Sequence, residues 1–416
     1  MKSSMWTPRT RLIVFMLITA SLLNSADRQI VSILKPMLQE DLNWTDADYG
    51  HLAAVFQFSA AIALLGTGWL VDRIGWRRAN PLGVGSWSIA AIIHSFARTM
   101  GEFTLARATL GATEAMGTPT NIKTIAAVFR NEDRSLALGT MSAIGGIAGA
   151  ILIPLMIPWL ALKFGWANTF VVMGALGLIW VAAWYGLAPG KGSEHAAHVN
   201  PTAADRVRWR DVLSTKGTWA VAGGKVMSDM IYWFLLFWMP DLFNKIFGLS
   251  LAQYAVPLAI IHCCGAFGSL FGGWLPRQLM ARGMTLNAAR KGSLLLAALL
   301  VTPIFFVSSV PSYWVATAIL GLALGAHQVF SVNIFSLATD VTPSRQVGTV
   351  IGIGAFCGNM AGTAILQATG MILTAGFGYG PLLALASVSY LLGFGWVHLL
   401  MPKIVAVAPD PELLEP

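Results

Sequence analysis

Two long stretches without a charged side chain limit what this chain can fold into more than any other feature. Neither residues 292–339 nor residues 346–402 contain Asp, Glu, Lys or Arg. Each stretch is about twice the ~20 apolar residues that one helix needs to cross a bilayer. Each also has a break where a loop is required, at 310–312 and at 376–380. Because an unpaired backbone group in lipid costs several kcal/mol, these stretches indicate bundled transmembrane helices.

The composition of the whole chain also indicates a membrane protein. Hydrophobic residues make up 56% of the chain and charged residues 11%, whereas a soluble domain carries about 25% charged residues. We predict an all-α membrane protein with about twelve transmembrane helices. The predicted spans lie near 11–34, 49–70, 78–97, 101–129, 135–162, 166–188, 217–244, 251–276, 291–309, 312–339, 346–373 and 379–401.

The basic residues are distributed unequally between the two sides of the membrane. With the N-terminus inside, the predicted cytoplasmic segments hold most of the 27 Lys and Arg residues, and the outer segments hold only Lys35, Arg98, Lys163 and Lys245. This bias follows the positive-inside rule and places both termini in the cytoplasm. We therefore expect a multi-pass protein of the cell inner membrane. The net charge of +8 reflects this topology and does not indicate a nucleic-acid partner.

The first predicted span has an alternative interpretation as a signal peptide. Basic residues, an apolar core and the small residues at 24–26 resemble such a peptide. Cleavage there would remove most of the first span, leave an odd number of spans and reverse the topology. We therefore interpret the first span as an uncleaved transmembrane helix, which agrees with the distribution of Lys and Arg between the two sides of the membrane.

A polar segment divides the predicted spans into two sets of six. It covers residues 190–211 and is rich in charge, His and small residues. We predict an N-terminal six-helix half at 1–189, a cytoplasmic central loop at 190–216 and a C-terminal six-helix half at 217–416. This layout resembles that of major facilitator transporters, and the resemblance implies the major facilitator fold.

The loop after the second span carries a second resemblance to the same superfamily. Residues 68–78 read GWLVDRIGWRR and resemble the major facilitator loop motif, which forms part of a cytoplasmic gate. Asp72 is expected to cap the following helix or to pair with Arg77. Residues 272–277, the matching place in the second half, lack the acidic residue. The alternative interpretation of residues 68–78 is a basic loop that only fixes the topology and has no role in gating. The residues assigned to the gate motif are Gly68, Asp72, Arg73, Gly75 and Arg77.

Charges inside predicted spans are the strongest functional signal, because each is costly unless it faces a cavity or a partner. They lie in the first, fourth and seventh spans, and the tenth span adds His327 and Gln328 beside them. Arg107, Glu114 and Asn121 are spaced by seven residues, which predicts one polar row along a helix face. The charges themselves are Asp27, Arg28, Arg107, Glu114, Lys123, Lys225 and Asp229.

Purely structural ion pairs are the alternative interpretation of these charges. Asp27 with Arg107, or Lys225 with Asp229 one turn apart, would hold helices together without a further role. Convergent charge on several helices is an inefficient way to stabilise a bundle, which favours a functional site. Lys123 lies near the inner end of its helix, where its amine can reach the membrane interface.

The same residues carry a more specific family resemblance. The strings ADR at 26–28, RATLGATEA at 107–115 and PTN at 119–121 resemble the anion:cation symporter branch of the superfamily. GAHQ at 325–328 and TDV at 339–341 resemble its bacterial hexuronate transporters. That subgroup typically has Arg and Glu where Lys225 and Asp229 stand here, which indicates an altered substrate preference.

The resemblance implies roles for individual residues. It assigns proton coupling to Asp27 and Glu114 together with Arg107, and binding of the substrate carboxylate to Arg28. A guanidinium suits that role because its planar fork matches a carboxylate. Whether Lys225 meets the substrate or only Asp229, and whether His327 binds a hydroxyl or only packs, stays open at this point. The full predicted substrate set is Arg28, Asn121, Lys225, Asp229, Tyr232, Trp233, His327, Gln328, Asn333 and Asn359.

The expected function is import of a small organic anion, such as a hexuronate, by proton symport with alternating access. Other organic acids (an aldonate, a glucarate or an aromatic carboxylate) are alternatives, and a drug/proton antiporter is a more distant one. We expect no metal site and no cofactor other than coupling protons. The three cysteines have no metal-like spacing and no catalytic motif is present, so the chain is not expected to be an enzyme. A receptor or scaffold is disfavoured because it has little use for titratable charges on several inward-facing helices. The expected partners are the substrate, protons and lipid, and the expected state is a monomer.

Overall fold

A computed structural model describes residues 6–187 and 209–405, and all regular secondary structure in these ranges is helical. Most of the predicted central loop, at 190–208, lies outside the described residues. The helices are α1 (Pro8–Ile33), α2 (Lys35–Leu42), α3 (Asp46–Ile74), α4 (Trp76–His94), α5 (Met100–Glu114), α6 (Gly117–Val128), α7 (Asn131–Leu187), α8 (Trp209–Leu213), α9 (Lys216–Phe247), α10 (Ala255–Ala281), α11 (Leu286–Val301) with a 3-10 turn at Thr302–Ser308, α12 (Tyr313–Val341), α13 (Ser344–Thr374) and α14 (Gly380–Leu400).

Nine helical segments in the described ranges are long and apolar enough to cross a membrane. One of them, Leu136–Leu187, has 52 residues, more than twice the ~20 residues of one crossing. The predicted number of twelve requires this segment to cross twice, and it also requires α4 and the α5–α6 pair to be spans. The all-α class is thus confirmed, and the number twelve stays a prediction.

The described residues fall into two compact units. The first contains residues 6–187 together with 248–259, and the second contains residues 209–247 together with 260–405. In the first unit α1 packs along α7 and α3 along α5, while in the second α9 packs along both α13 and α14.

Local chemistry explains where several helices begin. At the start of α3, Thr45 Oγ1 accepts from the N–H of Asp48 and the Asp48 carboxylate accepts from the N–H of Thr45. Thr99 and Glu102 form the same reciprocal pair at the start of α5. Such capping boxes satisfy backbone donors that lack partners inside the helix, and they place both helix starts at defined residues.

Two glycines make the sharp reversals in the first unit. Gly75 lies between α3 and α4 with φ 77° and ψ 153°, and Gly165 kinks α7 with φ 82° and ψ 162°. A side chain is strained at positive φ, so glycine is the residue that these turns favour. The kink at Gly165 falls between the predicted spans 135–162 and 166–188.

The fourth predicted span is not one continuous helix. α5 ends at Glu114 and α6 begins at Gly117. The ring of Pro119 removes the N–H that would donate to the carbonyl of Ala115 one turn earlier, which explains a break at this point. The predicted row of Arg107, Glu114 and Asn121 therefore runs over two consecutive helices, and it stays a prediction.

Close helix packing in the second unit depends on glycines of α13. A Cβ atom at Gly358 would lie 2.3 Å from Oδ2 of Asp229, and one at Gly362 would lie 2.2 Å from Cδ1 of Trp233. Both partners are on α9. The backbone of α13 thus approaches the predicted site residues of α9 more closely than any side chain would allow.

Candidate functional site

An ion pair between α1 and α5 lies at the centre of the charged residues of the first unit. Nε and Nη2 of Arg28 both donate to Oε2 of Glu114, each at 3.3 Å. Nη2 also contacts Oδ1 of Asn24 one turn earlier, at 3.4 Å. The Glu114 side chain is fully buried, whereas the Arg28 side chain keeps 28% of its surface exposed. The Arg28 side chain thus keeps accessible surface, whereas its carboxylate partner has none.

Asp27 and Arg107 are buried beside this pair without direct hydrogen bonds. Within the described residues, neither carboxylate oxygen of Asp27 and none of the three guanidinium nitrogens of Arg107 has a hydrogen-bond partner. The two residues are 1% and 0% exposed. Asp27 and Arg107 therefore form no hydrogen-bonded pair among the described residues, and their role as a structural ion pair stays an alternative. Direct contact with a carboxylate comes from Arg28.

An aromatic ring of α3 lies near both guanidinium groups. The Cζ atom of Arg107 is 4.4 Å from the centroid of the Phe56 ring, and that of Arg28 is 5.7 Å from it. The negative face of an aromatic ring attracts such cations. Phe56 thus offers Arg107 a weak partner in a place where a buried cation is otherwise costly.

The four charged groups balance one another when all are ionised. Asp27 and Glu114 carry two negative charges, and Arg28 and Arg107 carry two positive charges. Protonation of either carboxylate leaves one net positive charge in a buried region. Such a charge attracts an anion strongly because the surrounding dielectric is low. The arrangement can therefore link proton binding to anion binding.

Asn121 lies on the other side of the break in the fourth span. Its Nδ2 donates to Oγ of Ser21 at 3.0 Å and so joins α6 to α1. Both residues border a cavity of about 220 Å³, which Arg28 also borders. Asn121 thus borders the same cavity as Arg28.

In the second unit, Lys225 and Asp229 form the ion pair that their spacing predicts. Nζ of Lys225 is 2.7 Å from Oδ1 of Asp229 and donates to Oγ of Ser331 at 3.0 Å. The same amine lies 4.3 Å from the centroid of the Phe335 ring. Ser331 and Phe335 are both on α12, so the charged pair of α9 is held against that helix.

His327 joins this cluster through Tyr390, a residue that the sequence reasoning did not select. Nδ1 of His327 is 2.8 Å from the Tyr390 hydroxyl, which donates to the carbonyl of Ser228 at 3.1 Å. A hydroxyl that donates its only proton there must accept from Nδ1–H, which leaves Nε2 of the neutral ring as an acceptor. The Tyr232 ring stacks on the imidazole at 4.6 Å.

The remaining predicted residues of the second unit do not join this cluster directly. Oε1 of Gln328 accepts from Ser269 at 3.2 Å, which directs it towards α10. Nδ2 of Asn333 donates to two carbonyls, of Gly272 and Val329, and its Oδ1 accepts from Arg290. These bonds occupy the amide of Asn333 with contacts between helices.

Two further predicted residues, Asn359 and Trp233, differ in their surroundings. Asn359 is half-buried on α13. The Trp233 ring packs edge-on against Tyr232 with the centroids 5.2 Å apart, and it is close to Gly362. Trp233 therefore adjoins the residues around His327.

The loop motif at 68–78 forms a compact junction at the end of α3. The Asp72 carboxylate accepts from the amine of Lys123 on α6. α4 begins after Gly75 with no side-chain cap, so the expectation that Asp72 caps this helix is wrong. The Asp72 carboxylate instead binds the Lys123 amine. Lys123 binds Asp72 and is not simply directed to the membrane interface.

The other motif residues surround this junction. The guanidinium of Arg73 lies 5.4 Å from the ring of Trp69, and that of Arg77 lies 5.0 Å from the ring of Trp76. Gly68 is half-buried on the last turns of α3. The motif thus forms cation–aromatic contacts, together with the ion pair between Asp72 and Lys123, within the first unit.

Two buried polar side chains were not selected as site residues from the sequence. Lys35 is 0% exposed and pairs with Asp46 at 2.6 Å, although its position between predicted spans indicated a solvated loop. His94 is also buried, with Nδ1 2.8 Å from the carbonyl of Ala90 and its ring stacked on Phe170. Because His94 lies inside a predicted span, its position in the sequence already indicated a buried imidazole. Nothing in the sequence near Lys35 indicated that this side chain is buried.

Helices that are long and apolar enough to span a membrane, together with these buried charges, define a multi-pass membrane transport protein. The chain belongs to the Major Facilitator Superfamily, whose family description matches residues 17–366. It is a transporter and not an enzyme. The all-α architecture expected from the six-plus-six sequence layout is confirmed as the fold of this superfamily.

Named relatives and solved structures agree with this assignment. A D-galactonate transporter of Escherichia coli O6:H1 is 24% identical over 392 residues, which cover 88% of this chain and 90% of the relative. The hexuronate transporter of Escherichia coli K12 is 24% identical over 386 residues, which cover 88% of each chain.

The similar solved structures support the fold alone. A bacterial homolog of the human lysosomal transporter Spinster, in an inward-facing and unoccupied conformation, has a TM-score of 0.78 at 18% identity and covers 97% of this chain and 100% of that structure. A D-xylose-proton symporter has a TM-score of 0.74 at 15% identity and covers 95% of this chain and 98% of that structure.

Proposed function

We propose that this transporter imports a small organic anion by proton symport, and that the substrate is a sugar acid of the hexuronate type. The observation that carries the proposal is the contact between Arg28 and Glu114 beside the buried charges of Asp27 and Arg107. The named similarity to galactonate and hexuronate transporters supports a sugar acid. Another organic acid remains the first alternative, and a drug/proton antiporter is a more distant one.

The coupling follows from competition for Arg28. Its guanidinium donates to Glu114 at 3.3 Å, and a substrate carboxylate would use the same donors. Burial disfavours the ionised form of a carboxylate, whereas a neighbouring guanidinium favours it. Protonation of Glu114 weakens its contact with Arg28 and leaves the guanidinium available to the substrate. Release of the proton reverses the exchange and favours release of the substrate.

Residues of the second unit supply further contacts in this proposal. Lys225 provides a second cation. Asp229 neutralises it until the carboxylate of a substrate competes for the Lys225 amine. Nε2 of His327 accepts a hydrogen bond from a substrate hydroxyl. Tyr232, Trp233 and Asn359 offer aromatic and amide partners. Gln328 and Asn333 are assigned to contacts between helices.

The membrane location belongs to the same proposal. We place the chain in the cell inner membrane with both termini in the cytoplasm, as the basic residues favour. The carrier works by alternating access as a monomer, with protons as the coupling ion. The loop motif at 68–78 contributes to a cytoplasmic gate.

Glu114→Gln in proteoliposomes tests the coupling role. The amide keeps the shape of the carboxylate but cannot exchange a proton. We expect counterflow exchange of radiolabelled glucuronate to persist while accumulation driven by a pH gradient is lost. Glu40→Gln is the control, because Glu40 is an exposed carboxylate on α2. Unchanged pH-driven accumulation in Glu114→Gln would remove this residue from proton coupling.

A further inference from the structure

An apolar groove runs along α1 in the first unit, and none of the described residues assigned to the candidate site lines it. It lies between α1 and both parts of α7, before and after the kink at Gly165, and has a volume of about 410 Å³. Phe15, Leu152 and Ile179 line the groove and are themselves exposed. Exposed apolar side chains within the span of a bilayer contact lipid chains. The groove is therefore open to the hydrocarbon region.

The hydrogen-bonding groups in the lining of the groove are already paired with one another. Nε1 of Trp180 donates to the carbonyl of Met16 at 2.9 Å and to Oγ1 of Thr19 at 3.0 Å. The Thr19 hydroxyl lies 3.1 Å and 2.9 Å from the carbonyls of Phe15 and Met16, to which it donates. Because these groups bond one another, the groove favours an apolar occupant over a polar one.

The groove has about the length of one bilayer leaflet. From Phe15 to Ala26, which both line it, the backbone of α1 rises about 16 Å at ~1.5 Å for each residue. This distance is close to half of the ~30 Å hydrocarbon core. An empty groove would forfeit dispersion contacts along its lining. An acyl chain of a membrane lipid, lying along α1, has the length and the chemistry to fill it.

A basic residue lies where the headgroup of such a lipid would be. Arg11 is exposed and stands one turn before Phe15, so the two side chains share one face of α1. This end of α1 is the predicted cytoplasmic end. Basic residues beside transmembrane helices on that side attract anionic lipids, and a guanidinium matches a phosphate through its planar fork. The charge at this end of the groove thus favours an anionic lipid.

We propose that the groove binds one anionic phospholipid, with an acyl chain between α1 and α7 and the headgroup at Arg11. Ala26, at the far end of the groove, is followed directly by Asp27 and Arg28. The lipid therefore packs against the turn of α1 that precedes these charges and stabilises its contact with α7. The proposal goes beyond the proposed function, since it does not depend on which substrate is carried.

Native mass spectrometry of the purified, delipidated full-length protein tests the headgroup. The probes are phosphatidylglycerol, which is anionic, and phosphatidylethanolamine, which is neutral overall, with identical acyl chains. We expect one bound phosphatidylglycerol with a Kd about fivefold lower, because a basic residue near the headgroup contributes ~1 kcal/mol. Arg11→Gln should abolish this preference. Lys403→Gln removes an exposed cation of the second unit and should retain it.

A second pair of variants tests the acyl-chain site. Ala183 lines the groove, whereas its neighbour Ala182 is exposed and does not. We expect Ala183→Phe to fill the groove and to raise the Kd of both lipids at least about fivefold, with a smaller rise in Ala183→Leu. Ala182→Phe should leave both Kd values unchanged. Equal Tm values of the variants in the absence of lipid show that the fold is intact.

Other occupants of the groove give different results. An unchanged Kd of phosphatidylglycerol in folded Ala183→Phe and Ala183→Leu would overturn the acyl-chain site. A preference for phosphatidylglycerol that persists in Arg11→Gln would overturn the assignment of the headgroup. Equal binding of dodecyl maltoside, a neutral amphiphile, would make the groove an unselective apolar surface. A dimer that is lost in Ala183→Phe would assign the groove to a second copy of this chain.

Discussion

At the scale of single residues, the important property of this protein is an imbalance in how its buried charges are paired. Glu114 shares one oxygen with Arg28, while its Oε1 has no hydrogen-bond partner among the described residues. Asp27 and Arg107 are also buried, and their charged atoms have no hydrogen bond within the described ranges. Structural ion pairs usually satisfy both partners, because an unpaired buried charge costs several kcal/mol. The incomplete pairing thus favours groups that change partners during a transport cycle.

The first prediction concerns Arg28. Arg28→Lys keeps the positive charge but loses the planar fork that contacts Glu114 through two nitrogens. We expect the Kd of glucuronate to rise at least about tenfold in Arg28→Lys, and detectable binding to be lost in Arg28→Ala. Calorimetry on purified protein measures both. Wild-type affinity in Arg28→Ala would exclude Arg28 from the substrate site.

The second prediction concerns the pair of Lys225 and Asp229. Lys225→Met alone leaves a buried carboxylate unpaired, which typically costs about 3–5 kcal/mol. We expect a large fall in Tm for this variant and recovery in the double variant Lys225→Met with Asp229→Asn. Thermal unfolding in detergent measures the stability.

Transport by the same double variant decides what the pair does. We expect glucuronate uptake into proteoliposomes to stay low although the fold is restored, because the second cation is missing. Normal uptake by a stable double variant would instead make the pair purely structural.

At the scale of helices, α9 and α13 pack so closely that two glycines decide where the charged pair of α9 lies. A Cβ atom at Gly358 would overlap the Asp229 carboxylate. Interiors are packed to near-crystalline density and do not accommodate extra atoms freely. The spacing of these glycines by one turn therefore supports both the helix contact and the geometry of the Lys225–Asp229 pair.

The third prediction tests this contact. Gly358→Ala forces α13 away from α9, and overpacking of this kind typically costs about 1–3 kcal/mol. We expect a lower Tm together with weaker substrate binding, because Asp229 and Lys225 shift. Gly352→Ala on the same helix is the control, since a Cβ atom there meets nothing within 4 Å. Equal Tm values for the two variants would contradict the packing argument.

At the scale of the whole molecule, the distribution of basic residues predicts how the chain crosses the membrane. Predicted cytoplasmic segments are rich in Lys and Arg, whereas the predicted outer segments hold only four such residues. Orientation follows the positive charge close to the spans. Both termini are therefore expected on the cytoplasmic side.

The fourth prediction tests this topology with reporter fusions. Green fluorescent protein at the C-terminus should be fluorescent, whereas alkaline phosphatase at the same place should be inactive. A fusion truncated after residue 248, in a predicted outer segment, should show the reverse pattern. An active phosphatase at the C-terminus would refute the predicted orientation.

The sequence by itself determined the class of fold and most of the charged residues at the candidate site. Long apolar helices and intramembrane charges are visible in one dimension, because lipid penalises each charge wherever its neighbours lie. The Lys225–Asp229 pair was predictable too, because a spacing of four residues on a helix places the side chains on one face. Even the break after Glu114 had a local signal in Pro119.

Only the tertiary structure decided which charges meet across helices. That Glu114 contacts Arg28, that Asp72 contacts Lys123 and that His327 contacts Tyr390 depends on how helices pack and rotate. Spacing along the chain carries no such information, since these partners lie 86, 51 and 63 residues apart. The cavity beside Arg28 likewise forms where three separate helices meet. Composition and periodicity specify each helix and its faces, but the partner of each face follows from packing in three dimensions.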